Sequence, residues 1–137
     1  MNIDIYNETK SRIYTNRLRN VASIASGYLN FKKPVSIAIV NSSSIKKLNK
    51  MYRGMNKPTD VLSFAMGRDS YEVSGEVIIC YDVAKEQAIK EKTSVIRRIE
   101  KLLVHGMVHI SGRDHKTDAE AIAMESIENK ILKKIRN

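Results

Sequence analysis

Eleven consecutive residues, His105-Gly106-Met107-Val108-His109-Ile110-Ser111-Gly112-Arg113-Asp114-His115, contain every histidine of the chain. On an α-helix, residues four apart are separated by about 40° around the axis and about 6 Å along it, so His105 and His109 present their rings side by side. Gly112 lets the chain leave the helix in a left-handed turn, and His115 can then come back over the same face. A histidine pair at this spacing is by itself more often a packed or surface pair. The third histidine, at a fitting distance past a glycine in a chain with no other, turns the pair into a ligand set. Three neutral imidazoles without a thiolate suit a borderline cation, Zn²⁺ first, one per chain, with Ni²⁺ or another divalent ion also compatible. Three protein ligands leave a fourth position open. A metal so held can activate water near neutral pH and polarise a phosphoryl or carbonyl oxygen.

The helix that must carry the first two histidines has Thr93 or Ser94 as its start, Ile96, Ile99, Leu103, Gly106, Met107 and Ile110 as its apolar face, and Gly112 as its stop. After His115, Thr117 and Glu120 have capping-box spacing, and Met124, Ile127, Ile131 and Ile135 give a last helix its buried stripe. Upstream, Ile3 and Ile5 alternate with polar neighbours as in a strand. From Tyr14 to Leu29, the apolar positions Tyr14, Leu18, Val21, Ala22 and Ala25 follow helical spacing, with Gly27 near the end. Val35 to Val40 is β-branched and nearly all apolar, which suits a central strand. Ile45, Leu48 and Tyr52 mark a second helix, capped within Asn41 to Ser44 and stopped around Gly54, with Arg53 opening the loop that follows. Val61 to Phe64 and Glu76 to Cys80 read as strands joined by a polar connection from Gly67 to Gly75, and Asp82 can cap a helix running to about Lys92. Strands early and helices late, without regular βαβ repetition, predict an α+β fold. The expected architecture is a small mixed four-stranded sheet covered by about five helices, one domain over residues 1–137, with the metal site on a late helix and the loop after it.

The 137 residues suffice to bury a core without disulfides, so a metal here needs a job other than rescuing a small fold. Twenty-four Lys and Arg against 15 Asp and Glu leave a net charge of +9, which fits a polyanionic partner as well as a solvated basic surface. The single Cys80 lies in an apolar segment, so no intramolecular disulfide and no disulfide-linked partner is expected. Met1 to Lys10 lacks the apolar core of a signal peptide, and no apolar run reaches membrane-spanning length. A cytoplasmic location is the expectation.

The His-x-x-x-His-x-x-Gly-x-x-His spacing is also that of metzincin proteases, whose second position is the glutamate that acts as general base. Here that position is Gly106, which cannot accept a proton, so a metzincin-like hydrolase would lack its base. With glycine in that place the segment resembles the YbeY family of bacterial endoribonucleases and ribosomal RNA maturation factors, whose signature is His-Gly-x-Leu-His-Leu-x-Gly-Tyr-Asp-His. The chain keeps His105, Gly106, His109, Gly112, Asp114 and His115, and departs at Val108, Ile110 and Arg113. Leu48-Asn49, Tyr52-Arg53-Gly54, Thr59-Asp60-Val61-Leu62-Ser63-Phe64, Gly75-Glu76-Val77-Ile78-Ile79 and Asp118-x-Glu120-x-x-x-Met124-Glu125 resemble further family segments in the expected order.

The resemblance implies a cytoplasmic, zinc-dependent hydrolase of single-stranded RNA acting in ribosomal RNA processing and ribosome quality control. It implies His105, His109 and His115 as ligands and Arg53 as the residue matching the family's functional arginine. Ribosomal RNA would be the substrate, with ribosomal proteins or a ribosome-associated GTPase as protein partners. Cleaving a phosphodiester builds negative charge on phosphorus, which a metal and a guanidinium can stabilise without a carboxylate base. Other residues read more plainly. Asp60 and Ser63 can wall the site, but Asp60 at a strand start is usually a turn or cap residue. Asp114 can orient His115. Glu76 and Glu120 read as a strand-edge and a capping-box residue. Lys46, Lys47, Lys50 and Lys57 can guide RNA or form a solvated face. The competing class is a noncatalytic ribosome- or RNA-associated protein with a structural metal, weakened by only two Phe and no Trp for base stacking.

Overall fold

The computed structural model describes residues 3–66, 74–112 and 117–136. Among the described residues nine elements follow one another: β1 (Ile5–Asn7), α1 (Thr15–Leu29), β2 (Val35–Val40), α2 (Ser42–Arg53), β3 (Val61–Ala65), β4 (Gly75–Cys80), α3 (Tyr81–Glu91), α4 (Val95–Ile110) and α5 (Asp118–Arg136). The strands form one sheet in the order β1-β2-β4-β3. β1, β2 and β4 are mutually parallel, and β3 runs antiparallel to β4, pairing Val61 with Ile79 and Ala65 with Gly75. The fold is α+β with a mixed four-stranded sheet and five helices, as the element order predicts. One βαβ unit, β1-α1-β2, does open the chain, because parallel pairing of β1 with β2 requires a crossover.

Alternation along the strands sorts the core into two layers. Ile37, Ile39, Val77 and Ile79 join Leu18, Val21, Leu103, Met107 and Ile131 on the face covered by α1, α4 and α5. Val40, Leu62 and Cys80 meet Ile45 of α2 on the opposite face. The sheet therefore stands between α2 and the histidine-bearing α4. Cys80 is buried with a free thiol, as expected of a small apolar side chain in this layer.

Several local expectations are corrected. Tyr14 is 55% exposed, because it precedes α1 rather than lying on its inner face. α1 ends at Leu29, as the helical spacing predicts, but the residue that turns it is Asn30 and not Gly27, in the left-handed conformation that asparagine tolerates. Tyr52 is exposed at the end of α2, and Arg53 is the last residue of that helix rather than the first of a loop; Gly54, at φ +70°, makes the stop. Cys80, not Asp82, occupies the N-cap of α3. Asp82 instead accepts from the backbone N–H of Ser42 at 2.8 Å and from its hydroxyl at 2.9 Å, supplementing the Asn41 cap of α2. Glu76 lies in the interior strand β4, opposite Ser36 and Phe64, and not at a strand edge. The capping box holds: the Glu120 N–H donates to the Thr117 hydroxyl, which in turn donates to the Glu120 carboxylate, both at 3.1 Å.

Candidate functional site

α4 starts where the Ser94 hydroxyl accepts from the Arg97 N–H at 3.3 Å, and it ends as Gly112 turns at φ +93°. Between these points its glycine decides how close the helix comes to the sheet. A Cβ built on Gly106 would lie 2.9 and 3.2 Å from the two methyl carbons of Val77 and 3.6 Å from Cβ of Ser63. Gly106 is thus a packing residue as well as the place where a protease would carry its base. With that face pressed onto β3 and β4, His105 and His109 emerge along one flank. Their rings meet edge to face, centroids 4.9 Å apart and planes at 76°.

The structure adds a partner that sequence reading missed. Glu128 of α5 hydrogen-bonds Nδ1 of His105 through Oε1, its side chain only 19% exposed. With the proton on Nδ1 donated to this carboxylate, Nε2 is left as the lone-pair nitrogen, the arrangement that orients a metal-binding imidazole. The hydrogen bond that His105 donates to Glu128 is the largest influence on it and raises its pKa above the ordinary 6.5; burial opposes this, the charges of Glu128 and Asp60 add to it, and Arg98 opposes it. The signal for Glu128 was present in the chain: it lies four residues after Met124 and three before Ile131, on the inward stripe of α5.

His105 and Glu128 line a cleft of about 470 Å³ together with Asp60, Arg98, Lys101 and Glu125. Asp60 does make the local bond expected of a strand-start residue, its Oδ1 accepting from the Val61 N–H at 2.8 Å. Its other oxygen accepts from Gln87 at 3.2 Å, and Arg98 braces the same frame by donating to Gln87 at 2.8 Å and to Glu91 at 3.1 Å. Asp60 therefore walls the cleft as well as capping a strand. Ser63 faces Gly106 and serves the helix–sheet contact.

Of the four residues singled out from the sequence, His105 and His109 are brought together. His115, with Asp114 and Arg113, lies outside the described residues. Among the described residues no three His, Cys, Asp or Glu side chains converge as a ligand set. Arg53 is exposed at the end of α2, whose Ile45 packs on the sheet face opposite α4. The donor chemistry fits a borderline divalent cation: two adjacent imidazoles, one with its far nitrogen held by a carboxylate.

No helix among the described residues is long and apolar enough to cross a membrane. The sequence profile of the family described as Endoribonuclease YbeY matches residues 2–136. A relative from Aquifex aeolicus, described as Endoribonuclease YbeY, is 35% identical over 130 residues, covering 92% of this chain and 87% of its own. One of the same description from Geobacter sulfurreducens is 36% identical over 146 residues, covering 100% and 97%. The solution structure of a Thermotoga maritima protein superposes with a TM-score of 0.69 at 25% identity, over 98% of this chain and 89% of that one.

Proposed function

Since the chain belongs to the YbeY endoribonuclease family, we propose that it is a metal-dependent endoribonuclease that cuts single-stranded RNA during ribosomal RNA maturation and ribosome quality control. The observation that carries the reading is the edge-to-face pair His105 and His109, with Glu128 on the far nitrogen of His105 where His105 and Glu128 line a cleft. His105, His109 and His115 would hold one Zn²⁺. When bound, the ion supplies Lewis acidity towards a phosphodiester at a site with no glutamate base in the metzincin position.

The chain's own residues supply the remaining work. Glu128 keeps His105 in the tautomer that presents Nε2. Arg98 and Lys101 place positive charge on the cleft wall, where an RNA phosphate would enter, and Asp60 stands beside Arg98, 3.9 Å from its guanidinium, as a fixed acceptor. Arg53 would reach a phosphate of the bound strand from the α2 side, its planar fork suiting two oxygens at once. Work in the cytoplasm on ribosomal RNA, with ribosomal proteins or a ribosome-associated GTPase as neighbours, fits the family resemblance and the net charge of +9.

The test compares cleavage of single-stranded RNA and metal content for the purified chain, His109→Ala and Arg53→Ala. His109→Ala should lose both metal and cleavage. Arg53→Ala should keep its metal and lose about 10- to 100-fold in cleavage at low RNA concentration, the scale for one lost hydrogen-bonded contact to a charged phosphate, and cleavage left intact would remove Arg53 from this reading. RNA binding without cleavage by any of the three would instead identify a noncatalytic RNA-binding protein with a structural metal.

A further inference from the structure

The positive charge of the chain is not spread evenly. Residues 9–59 contain eleven Lys and Arg and not one Asp or Glu, whereas the rest of the chain holds 13 cations and 15 acids. Five of the eleven, Lys46, Lys47, Lys50, Arg53 and Lys57, lie on α2 and the loop that follows it, and all are exposed. None of the five forms a salt bridge among the described residues. Of the nearby acids, Asp82 is engaged at the start of α2, Asp60 is engaged with Gln87 and the Val61 N–H, and Glu76 is a single carboxylate across the strand pair from Phe64. The helix C-terminus contributes partial negative charge that favours Lys50 and Arg53 where they are, but it does not neutralise a field of this size.

The same region exposes large apolar groups. Met51 is 71% and Tyr52 61% exposed, and Met55 and Met66 are exposed beside them. Tyr52 is held rather than loose: its ring meets Phe64 edge to face, centroids 5.1 Å apart. A ring so braced offers its open surface with little ordering cost. Phe64 belongs to β3, the edge strand, and that strand connects the two sides of the protein. Its Phe64 lies under Tyr52, its Ser63 faces Gly106 of α4, and Asp60 at its start walls the histidine cleft.

We infer that the outer face of α2 and its following loop hold a second stretch of single-stranded RNA, outside the cleft, with Lys46, Lys47, Lys50 and Lys57 on backbone phosphates and Tyr52 stacked on an unpaired base. The inference rests on the reading of single-stranded RNA as the substrate. Cations alone would serve any polyanion. The braced, exposed aromatic among them selects a ligand with π-faces, which an acidic peptide lacks. A strand held there passes over the edge of β3 to the cleft, so substrates long enough to span both surfaces bind more tightly than those filling the cleft alone.

Anisotropy of a fluorescent single-stranded RNA of about 12 nucleotides, with metal-stripped protein across graded KCl, reads this surface without cleavage. Replacing Lys46, Lys47 and Lys50 together by Gln should weaken binding at least about tenfold at low salt and reduce the slope of log K against log salt by about 2, near 0.7 for each lost phosphate contact. Tyr52→Ala should weaken binding about 5- to 100-fold with the slope unchanged, and Tyr52→Phe should restore it. All these side chains are exposed, so circular dichroism and melting should match the parent. Folded variants with the parent's affinity and slope would overturn the inference while leaving RNA as substrate. Polyglutamate competing as well as RNA at equal charge would overturn it in favour of an acidic protein partner. Failure of the parent chain to bind RNA at all would remove the substrate reading itself.

Discussion

Gly106 shows how one missing side chain can serve two purposes. Alanine there would gain about 0.5–1 kcal/mol of helix propensity over glycine, but its Cβ would enter a 2.9 Å contact with Val77, which is fully buried and stiff about χ1. Overpacking costs about 1–3 kcal/mol, so the clash wins: Gly106→Ala should lower stability in denaturant melts, and Gly106→Glu, restoring the protease pattern, should not fold. Glu128 is the second residue whose replacement is informative. Glu128→Gln should weaken zinc binding about 10- to 100-fold in a chelator competition, with the fold retained, because the carboxylate no longer fixes the His105 tautomer. The same bond sets a pH dependence. The pKa of His105 is raised above 6.5 in the folded, metal-free protein, so the stability it contributes is fully present below 6.5 and is lost as pH rises through the higher folded value. Melting of the metal-free chain should therefore show a contribution on the acid side that Glu128→Gln abolishes. Metal affinity should run oppositely, rising with pH as the imidazole sheds its proton.

At the level of elements, α2 shows how strongly the caps of a helix are held in place. Its start is fixed from two sides, by Asn41, which accepts from Ser44 at 3.0 Å, and by Asp82 from the beginning of α3. Its end is fixed by Gly54 in the left-handed region. Asn41→Ala should cost about 0.5–2 kcal/mol, and Gly54→Ala about 1–2 kcal/mol from backbone strain alone, since nothing crowds a Cβ there. Thermal melts of the two variants separate lost hydrogen bonding from lost conformational freedom. Gly54→Asn, tolerated in the same region, should recover most of the second loss.

Across the whole molecule, α1 is tied to α4 by Arg17 and Glu100, whose nitrogen and oxygen stand 2.7 Å apart with Glu100 almost fully buried. Arg17→Leu would strand that carboxylate. The expected loss is about 1–3 kcal/mol, as urea melts of the two chains would show. Much of this architecture was legible in the chain. The strand Val35–Val40 and the second helix from Asn41 to Gly54 come from β-branched runs, caps and glycines, signals that act within a few residues. Tyr14 and Asp82 depend on what lies around them: Tyr14 precedes α1 and lines a shallow cleft with the start of α4, and Asp82 bonds the N-terminus of α2. Asp60 looked like a local cap and is also a cleft wall, since only the packing of α3 and α4 against β3 brings Gln87, Arg98 and His105 around it.

The sequence by itself determined the histidine spacing, the glycine that removes a protease's base, the caps and stops of the helices, and the α+β element order. All of these follow from contacts or dihedral preferences spanning a turn or two of chain. Only the tertiary structure decided that Glu128 holds His105, that Gly106 is pressed onto Val77, and that Arg53 and the lysines of α2 stand on the far side of the sheet from α4. Those relations join residues up to dozens of positions apart, and they are settled by which faces of helix and strand must be buried together.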